Sequence, residues 1–420
     1  MDKINDKCIL IPTYNRAVSI EFYLETKLGI FTEAGFDIVV YDSSTDEDTK
    51  RLINKYREDG YKNVIYHHYS DPVDDIYGAN KVKMAFIQCG KLYKYVWLCG
   101  DMTMLRLEAY NDKIQKLMNE NYDVIHIYKN NIGEKSRCNI DCKEFLAKFY
   151  WSMTHWCSFI LSSKFIGEME YWIEWYYNQK FLTTLVFPMY ATLANGEYKI
   201  AYINEECYTY VPFRSGSVSH MKKDILRGHG EVHCKGIDAL PEIYNEYKPI
   251  AKKSLNRNIG LFSKKDSIDL RANGNITFGK LLKYGKYVKQ MTDVPMSWFY
   301  FLSFVPKRIM GKFSPLYNMN KELESMNQKQ SRIVIYGMGQ HGRAIYERIK
   351  YTYLGISIDS VSDKNVSGKQ FGECETIEIN SLNKRNFDYV VVAIVNNSVF
   401  KEVRKNLMQL GIPRNKIIHL

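Results

Sequence analysis

Short apolar runs alternate with helix-like segments through roughly the first 130 residues, and this alternation constrains the fold more than any other feature of the sequence. Five apolar runs have the length and composition of buried strands, and they lie at residues 9–11, 38–41, 64–67, 95–98 and 124–127. Between them, apolar residues recur with helical spacing near residues 21–32, 46–58, 80–88 and 108–119. The alternation predicts an α/β fold in which helices flank a mostly parallel sheet. Right-handed crossovers would then bring the strand ends, and any ligand, to one edge.

The composition narrows the class of protein. With 420 residues, 45% apolar and 25% charged, the chain is an ordinary globular protein long enough for two or three domains. Its formal charge of +11 suits nucleotide phosphates or an anionic membrane surface, whereas no recognisable motif supports nucleic acid. The nine cysteines are scattered without zinc-site spacing, which indicates reduced thiols in a cytoplasmic protein. We expect neither a signal peptide nor a transmembrane helix, because every apolar run is too short.

The first strand ends abruptly in a polar, aromatic turn with the sequence Pro12-Thr13-Tyr14-Asn15-Arg16. The side chains of this turn suit a nucleotide. Tyr14 offers a flat face for a base, Thr13 and Asn15 offer short hydrogen-bonding groups, and Arg16 offers charge for a phosphate. An ordinary strand-to-helix turn, with its polar groups in water, is the alternative.

Two later strands end at carboxylates. Asp42 follows the second strand, where a carboxylate can accept hydrogen bonds from a base imide or from ribose hydroxyls. Asp46, just beyond it, is better placed as a helix N-cap. Asp101 follows the fourth strand, where it could bind ribose or a divalent metal that bridges a diphosphate. A turn residue is the alternative for either carboxylate alone, but their recurrence at successive strand ends favours one ligand site.

Three segments together resemble the nucleotide-binding half of family 2 glycosyltransferases with the GT-A fold, and they lie at residues 11–16, 42–46 and 97–101. The resemblance spans roughly residues 5–215 and is most specific through about residue 130. It implies that the protein binds a nucleotide sugar and that a basic residue lies close to this donor. The residues to which it assigns donor binding are Pro12, Thr13, Tyr14, Arg16, Asp42, Asp101 and either Lys81 or Lys83.

The chain departs from that family at the metal motif. Asp101 stands where the family's Asp-x-Asp motif begins, but Met102 and Thr103 replace the acids that usually follow. A divalent ion, Mn²⁺ or Mg²⁺, would then be bound by Asp101 in a site poor in negative charge, and metal independence is the alternative. His220 could complete a metal or diphosphate site, with a surface loop histidine as the alternative.

The expected catalytic base is missing from its usual position. An inverting transferase needs a group that deprotonates the acceptor hydroxyl, and similar enzymes carry it roughly ten residues before a glycine that opens a late strand. Residues 185–196, which end at such a glycine, contain no Asp or Glu. The remaining candidates for this role are Glu170, Glu174 and His155. Asp101 is also a candidate catalytic residue, because it is expected to bind the donor. An inactive enzyme, or a shifted alignment of this region with the family, is the alternative.

The chain beyond residue 130 contains three further kinds of region. Residues 130–212 are rich in aromatic rings that we expect mostly in the core. Residues 222–310 look helical and basic, and their most apolar stretch, 294–308, predicts either an interfacial helix on an anionic membrane or a core helix between domains. The predicted organisation is a transferase domain at 1–220, a helical basic region at 221–317, a linker at 318–331 and a Rossmann-like domain at 332–420.

The last region contains a predicted strand followed by Gly337, Gly339 and Gly342 in a Gly-x-Gly-x-x-Gly pattern. This pattern is typical of a phosphate-contacting turn at a helix N-terminus, and Asp363 lies where a ribose-binding acid is expected. The region resembles small Rossmann-like domains attached to sugar-modifying enzymes in polysaccharide clusters. A domain used only for packing or oligomerisation is the alternative, and we do not expect a nicotinamide nucleotide as its ligand.

The resemblance as a whole implies a hexosyltransferase of surface polysaccharide or capsule synthesis. It would move a sugar from a nucleotide-sugar donor, expected to be UDP-linked, to a hydroxyl of a glycan or wall-polymer acceptor, with inversion. We expect it in the cytoplasm, at the inner face of a membrane, and as a homo-oligomer. Two alternatives stay open: a nucleotide- or NAD-binding enzyme centred on the C-terminal domain, and an inactive scaffold subunit of a glycan-assembly complex.

Overall fold

The computed structural model describes residues 3–70, 79–101, 103–129, 134–179, 185–206, 208–210, 225–259, 262–339, 341–342, 345–346, 348–349, 353–363, 370–371, 374–394 and 396–420. The chain divides into two compact units. The first comprises Met1–Val211, Asp224–Lys264 and Gly279–Trp298, and the second comprises Pro212–Lys223, Lys265–Phe278 and Phe299–Leu420. The helical region predicted at 221–317 is therefore shared between the two units, and the first unit extends beyond residue 220.

The first unit is built on an eight-stranded sheet and a two-stranded ribbon. Their strands are Lys7–Thr13 (β1), Phe36–Asp42 (β2), Val64–His68 (β3), Tyr95–Leu98 (β4), Thr103–Leu105 (β5), Val124–Ile127 (β6), Arg137–Cys138 (β7), Phe159–Ser162 (β8), Ile200–Ile203 (β9) and Tyr208–Tyr210 (β10). The large sheet has the order β3-β2-β1-β4-β8-β6-β9-β7, and β5 pairs with β10 in the ribbon. Strands β3, β2, β1 and β4 run parallel, whereas β8 is antiparallel to both of its neighbours.

Helices cover this sheet in the alternation that the sequence predicts. Those of the first unit include Ala17–Glu33 (α1), Asp48–Glu58 (α2), Ala79–Leu92 (α3), Asn111–Asn119 (α4), Cys142–Met153 (α5), Ser163–Asn178 (α6), Val186–Leu193 (α7), His233–Asp238 (α8) and Lys248–Ile259 (α9). All seven residues of β2 are buried, as expected for a parallel strand covered on both faces. The predicted α/β class is confirmed, and each of the five predicted strands lies within an observed strand.

Most aromatic side chains of the irregular middle region belong to the core. Every residue of α7 is buried, so its sequence lacks the one-sided apolar pattern of a surface helix. Tyr150 and Tyr176 are fully buried beside Phe187, whose ring stacks on that of Tyr176 at 5.7 Å. These rings therefore contribute to the core of the first unit.

The chain continues through short helices into the second unit. They are Lys264–Ala272 (α10), Phe278–Met291 (α11), Met296–Phe304 (α12), Lys307–Gly311 (α13) and Pro315–Gln328 (α14). The apolar stretch 294–308 is thus divided between α12 and α13, and Pro306 marks the start of the second of these helices. Among the residues that the structure describes, none of the helices combines the length and the apolarity needed to cross a bilayer.

The second unit carries its own sheet of six strands. They are Arg332–Tyr336 (β11), Ser357–Ser362 (β12), Gln370–Phe371 (β13), Cys374–Ile377 (β14), Tyr389–Val392 (β15) and Ile417–His419 (β16). Their order across the sheet is β13-β14-β12-β11-β15-β16. All neighbours run parallel except β13 and β14. A helix at Asn397–Gln409 (α15) begins at Asn396, whose side chain accepts a hydrogen bond from the amide of Ser398 at 2.9 Å.

The predicted linker at 318–331 is wrong for most of its length, because α14 occupies it. Leu323 and Met326 on this helix are buried in the core of the second sheet, together with Ile333 and Ile335 of β11. Met319, Leu323 and Met326 recur at helical spacing and form a narrow apolar stripe along α14. The residues between them are mostly polar. The segment is therefore mostly polar by composition, although one face of it packs on the sheet.

Candidate functional site

The ends of the central strands meet at one edge of the first unit's sheet. Because β1 and β2 are parallel neighbours, Thr13 lies beside Asp42 in the sheet register, and β4 leads into the turn that carries Asp101. Pro12 lies within β1 opposite Tyr41 and is buried, so it shapes the end of the strand. The residues that the sequence singles out at three separate strand ends are thus brought together.

Asp101 is the centre of this cluster. Its Oδ2 atom accepts a hydrogen bond from the Thr13 hydroxyl at 3.1 Å, and its Oδ1 atom lies 3.1 Å from Nη1 of Arg16. The side chains of Arg16 and Asp101 are only 19% and 17% exposed. Burial raises the pKa of Asp101 above its ordinary value, and Arg16, Thr13 and nearby Lys81 offset part of that rise. Burial therefore makes the ionised form of Asp101 less stable than it would be in water. A ligand that donates hydrogen bonds to the carboxylate would offset this cost.

Lys81 ties the turns after β1 and β2 to the start of α3. Its buried Nζ atom donates to the main-chain oxygen of Thr13 at 2.6 Å and to the hydroxyl of Ser43 at 2.9 Å. The ammonium also acts on Asp101, because its positive charge offsets part of the rise in pKa that burial causes in that carboxyl. With Arg16, this places two cations around one carboxylate at the sheet edge.

Asn15 joins the first turn to the second. Its backbone is in the left-handed region, with φ of 51°, which asparagine tolerates better than most residues. Its main-chain amide donates a hydrogen bond to the Ser44 hydroxyl at 2.7 Å. Its side-chain oxygen accepts a hydrogen bond from the main-chain amide of Thr45 at 2.9 Å. The neighbouring Tyr14 stays 48% exposed. The turn is therefore fixed while one aromatic ring faces outward.

Asp42 is fully buried and already hydrogen-bonded on both oxygens. Oδ1 accepts from the amide and hydroxyl of Ser44, at 2.9 and 2.5 Å, and Oδ2 accepts from the Tyr66 hydroxyl at 3.1 Å. Burial and the adjacent Asp42 raise the pKa of Tyr66. Sequence reasoning missed the Tyr66 contact, because β3 is remote from Asp42 along the chain and only sheet register joins them. The geometry gives Asp42 a positioning role, and direct ligand contact by Asp42 stays a prediction.

Lys83 faces helix α6 rather than the Asp101 cluster. Its Nζ atom lies 3.0 Å from Oε1 of Glu174 and 4.1 Å from the centre of the Tyr177 ring. Glu170, one turn earlier on α6, forms an ion pair of 3.0 Å with Lys91 near the end of α3. Both carboxylates thus hold α6 against α3. Of the two basic candidates on α3, Lys81 is the one that the structure brings to the strand ends.

His155 lies in a half-buried aromatic group near the strand that follows Asp101. Its Nδ1 atom is 3.0 Å from the Tyr208 hydroxyl, and its ring stacks on Tyr128 with centroids 5.4 Å apart. Two residues later, the Cys157 thiol donates to the Thr103 hydroxyl at 2.9 Å. Thr103 begins β5, which pairs with the strand that carries Tyr208. Of the three base candidates, His155 is the one connected to the segment after Asp101.

The side chains around Asp101 give limited support for a metal ion coordinated by the protein. Within the described ranges, no group of three His, Cys, Asp or Glu side chains is arranged to hold a metal ion. The oxygens of Asp101 face Arg16 and Thr13, and a guanidinium beside the carboxylate repels a divalent cation. His220 and Met102 lie outside the described residues. The residues that are described fit an anionic ligand better than a divalent ion.

The glycine-rich turn of the second unit is tightly packed. Gly337 has φ of 113°, and a Cβ atom there would lie 2.9 Å from the main-chain oxygen of Ala393. A Cβ at Gly342 would lie 1.8 Å from the oxygen of Gly337, whereas one at Gly339 would meet nothing within 4 Å. Asp363 accepts a hydrogen bond from the Met338 amide at 2.7 Å. This acid therefore engages the turn itself, and ligand binding by the turn stays a prediction.

Comparisons with known proteins give two kinds of similarity. The family described as "C2185-like, N-terminal" matches residues 329–418, which is the sheet region of the second unit. No curated protein matches the sequence. Because the family match covers only this last part of the chain, it leaves the first unit unassigned.

Several solved structures resemble the chain in outline. A crystal structure of S. aureus TarS 1–349 with UDP-GlcNAc has a TM-score of 0.44 and 15% identity, covering 77% of this chain and 92% of that one. The mannosyltransferase PcManGT from Pyrobaculum calidifontis, with GDP-Man and Mn²⁺, has a TM-score of 0.40 and 13% identity, covering 76% and 88%. Glucosyl-3-phosphoglycerate synthase from Mycobacterium tuberculosis has a TM-score of 0.33 and 12% identity, covering 52% and 73%. Likenesses this low do not transfer an activity to this chain.

Proposed function

We propose that the protein is a glycosyltransferase that moves a sugar from a nucleotide-sugar donor to a hydroxyl of a glycan or wall-polymer acceptor. The observation that carries the proposal is the cluster at the ends of β1, β2 and β4, where Asp101 meets Arg16, Thr13 and the charge of Lys81. A carboxylate between two cations, beside an exposed tyrosine, suits a ligand that combines hydroxyls, phosphates and an aromatic base.

Each side chain of the cluster would have a separate task in donor binding. The exposed ring of Tyr14 would stack on the base, which we expect to be uracil. Asp101 would accept hydrogen bonds from the ribose, relieving the cost of its buried charge. Arg16 and Lys81 would balance the negative charge of the diphosphate as it departs, and positioned charges of this kind often contribute most to catalysis.

The proposed transfer inverts the configuration of the sugar. An acceptor hydroxyl oxygen attacks the anomeric carbon, the bond from that carbon to the diphosphate oxygen breaks, and the nucleoside diphosphate leaves with the bonding electrons. The hydroxyl proton must pass to a base. We assign this role to His155, because Glu170 and Glu174 are paired with lysines of α3. A ring nitrogen of His155 would accept the proton on the side of β5 and β10.

A binding screen followed by a turnover assay tests the proposal. The full chain is titrated by calorimetry with UDP, GDP, UDP-GlcNAc, UDP-glucose and GDP-mannose, and donor hydrolysis is followed for each sugar nucleotide that binds. We expect saturable binding of one nucleotide class and release of its diphosphate product. Asp101→Ala should weaken binding at least about tenfold, since it removes a charged hydrogen-bond acceptor. Asp112→Asn, an exposed acid in the first turn of α4, is the matched control.

The outcomes distinguish the proposal from its rivals. Absence of binding by every nucleotide, or binding unaffected by Asp101→Ala, would overturn it. Saturable binding without any turnover would favour a scaffold subunit, which the ion-paired states of Glu170 and Glu174 make a specific alternative. Binding that persists in Asp101→Ala but is abolished by Gly339→Val would relocate the nucleotide site to the second unit.

A further inference from the structure

The apolar stretch after residue 294 presents aromatic rings to the outside of the second unit. Phe301 and Phe304 lie one turn apart on α12 and are 58% and 69% exposed, whereas Leu302 on the opposite face is buried. Phe313, just after α13, is 65% exposed. Single exposed apolar side chains are ordinary, but several large rings on one short segment indicate an interaction site.

Two further apolar side chains accompany these rings. The ring of Phe278 lies 5.3 Å from that of Phe304 and is 44% exposed. Ile309, on the helix that follows, is 45% exposed. Together, Phe278, Phe301, Phe304, Ile309 and Phe313 form the apolar part of what we call the aromatic–basic surface.

Cations supply the other part of the aromatic–basic surface. Lys307, Arg308 and Lys312 are exposed on or beside α13, and no ion pair joins them to another residue in the part of the chain that the structure describes. Residues 294–321 contain no Asp or Glu. Asp269 reaches this segment from α10, where it accepts a hydrogen bond from the Ser314 hydroxyl. The surface is therefore apolar and positively charged at once.

We propose that the aromatic–basic surface docks the protein onto an anionic lipid bilayer. Aromatic side chains that enter the acyl boundary and cations that stay among anionic headgroups are the chemistry of an interfacial helix. α12 has nine residues, so it is far too short to span a bilayer and would lie in its surface. A second copy of the chain is a poorer occupant, because a two-fold interface would bring the same unpaired cations face to face.

Vesicle co-sedimentation of the full chain tests this proposal. Vesicles of phosphatidylcholine alone are compared with vesicles that also contain phosphatidylglycerol, at low and high salt. We expect binding to the anionic vesicles, weakened by salt because exposed charges are screened. Lys307→Gln and Arg308→Gln should each lower the partition coefficient about fivefold. The double variant Phe304→Ser/Phe313→Ser should abolish binding at high salt, where the apolar contribution remains.

Matched variants elsewhere on the same unit separate this surface from the general positive charge of the protein. Lys401→Gln/Lys405→Gln removes two exposed cations from α15, and Leu354→Ser removes an apolar side chain that is 84% exposed. Both controls should bind vesicles like the wild type. Equal losses in the controls, or no binding to anionic vesicles, would overturn the proposal. So would self-association that Phe304→Ser abolishes in sedimentation-velocity runs without lipid, since the surface would then join two copies. The assay uses no nucleotide, so its outcome is independent of the transferase proposal.

Discussion

The Nζ atom of Lys81 lies 2.6 Å from the main-chain oxygen of Thr13, so one buried ammonium connects the first turn of α3 to the end of the central strand. The same atom reaches Ser43 on the neighbouring turn. Its positive charge also acts on Asp101, where it offsets part of the rise in pKa that burial causes.

Lys81→Met should weaken both the folded state and ligand binding. The variant leaves the Thr13 oxygen without its ammonium donor, which typically costs about 1–3 kcal/mol of unfolding free energy. Under the proposed function, nucleotide affinity should fall at least about tenfold, since one of the two cations around Asp101 is lost. Calorimetry and urea unfolding measure the two effects separately. Lys91→Met removes an exposed ion pair instead and should change stability by less than about 1 kcal/mol, with unchanged affinity.

Asp101→Asn should stabilise the protein in a pH-dependent way. Because burial raises the pKa of Asp101 in the folded state, the wild type loses stability as pH rises from the unfolded-state value through the folded-state value. The amide variant has no such loss. The stability difference between variant and wild type should therefore grow above about pH 4 and level off once Asp101 is ionised in both states. Urea unfolding across this range measures it, and a difference that is constant with pH would contradict the assignment.

Two buried histidines should make the first unit sensitive to acid. Burial lowers the pKa of His126 to about 3, and burial together with His229 lowers that of His233 to about 3. Their unfolded forms take up protons from about pH 6.5 downward, while the folded forms do not. Stability is thus fully present above pH 6.5 and falls by about 1.4 kcal/mol per pH unit for each histidine as pH drops towards 3.

His126→Gln isolates one of these contributions. The glutamine amide can still meet the Ser152 hydroxyl, which lies 2.7 Å from Nε2 of His126. Between pH 4.5 and 6, the free energy of unfolding of the variant should change less steeply with pH than that of the wild type. The difference in slope should be about 1.4 kcal/mol per pH unit, which corresponds to one proton, whatever the stability at neutral pH. An unchanged slope would show that His126 is protonated in the folded state.

Two alanine substitutions in the glycine-rich turn of the second unit should differ sharply. Gly342→Ala would place a Cβ atom against the oxygen of Gly337, and forced overpacking of this kind typically costs about 1–3 kcal/mol. Gly339→Ala meets open space and should be close to neutral. Thermal unfolding of the full chain compares them, and equal melting temperatures would contradict the packing of this turn.

Metal removal should leave nucleotide binding largely intact. Arg16 and Lys81 already provide positive charge around Asp101, and the described residues offer no cluster of metal ligands. We expect EDTA to weaken nucleotide binding by less than about tenfold, a difference of about 1.4 kcal/mol. Calorimetry with and without Mn²⁺ provides the measurement, and complete dependence on the ion would instead implicate residues such as His220.

Sheet register explains why the side chains of the candidate site could be predicted to lie together. The ends of parallel strands converge at one edge of a sheet, so Thr13, Asp42 and Asp101 could be grouped from the sequence alone. What could not be predicted is the partner of each side chain. The Tyr66 hydroxyl donates to Asp42 from another strand, and Glu174 forms an ion pair with Lys83. Both contacts join residues that are far apart in the sequence, so no local pattern predicts them.

The error at 318–331 has a different physical origin. A helix that packs through a narrow stripe, here Leu323 and Met326, is mostly polar by composition. Composition alone then resembles a linker, and only the helical spacing of the few apolar residues distinguishes the two. The fold class depends on longer, more regular patterns, which is why it was predictable when this segment was not.

The mutual hydrogen bonds of the first two turns have a consequence for affinity. Because Asn15, Ser44 and Lys81 bind these turns to each other, the chain has already lost most of its conformational freedom there when a ligand arrives. Binding then costs little ordering entropy on the protein side. Even a small ligand, with few contacts of its own, would therefore gain most of the free energy that those contacts offer.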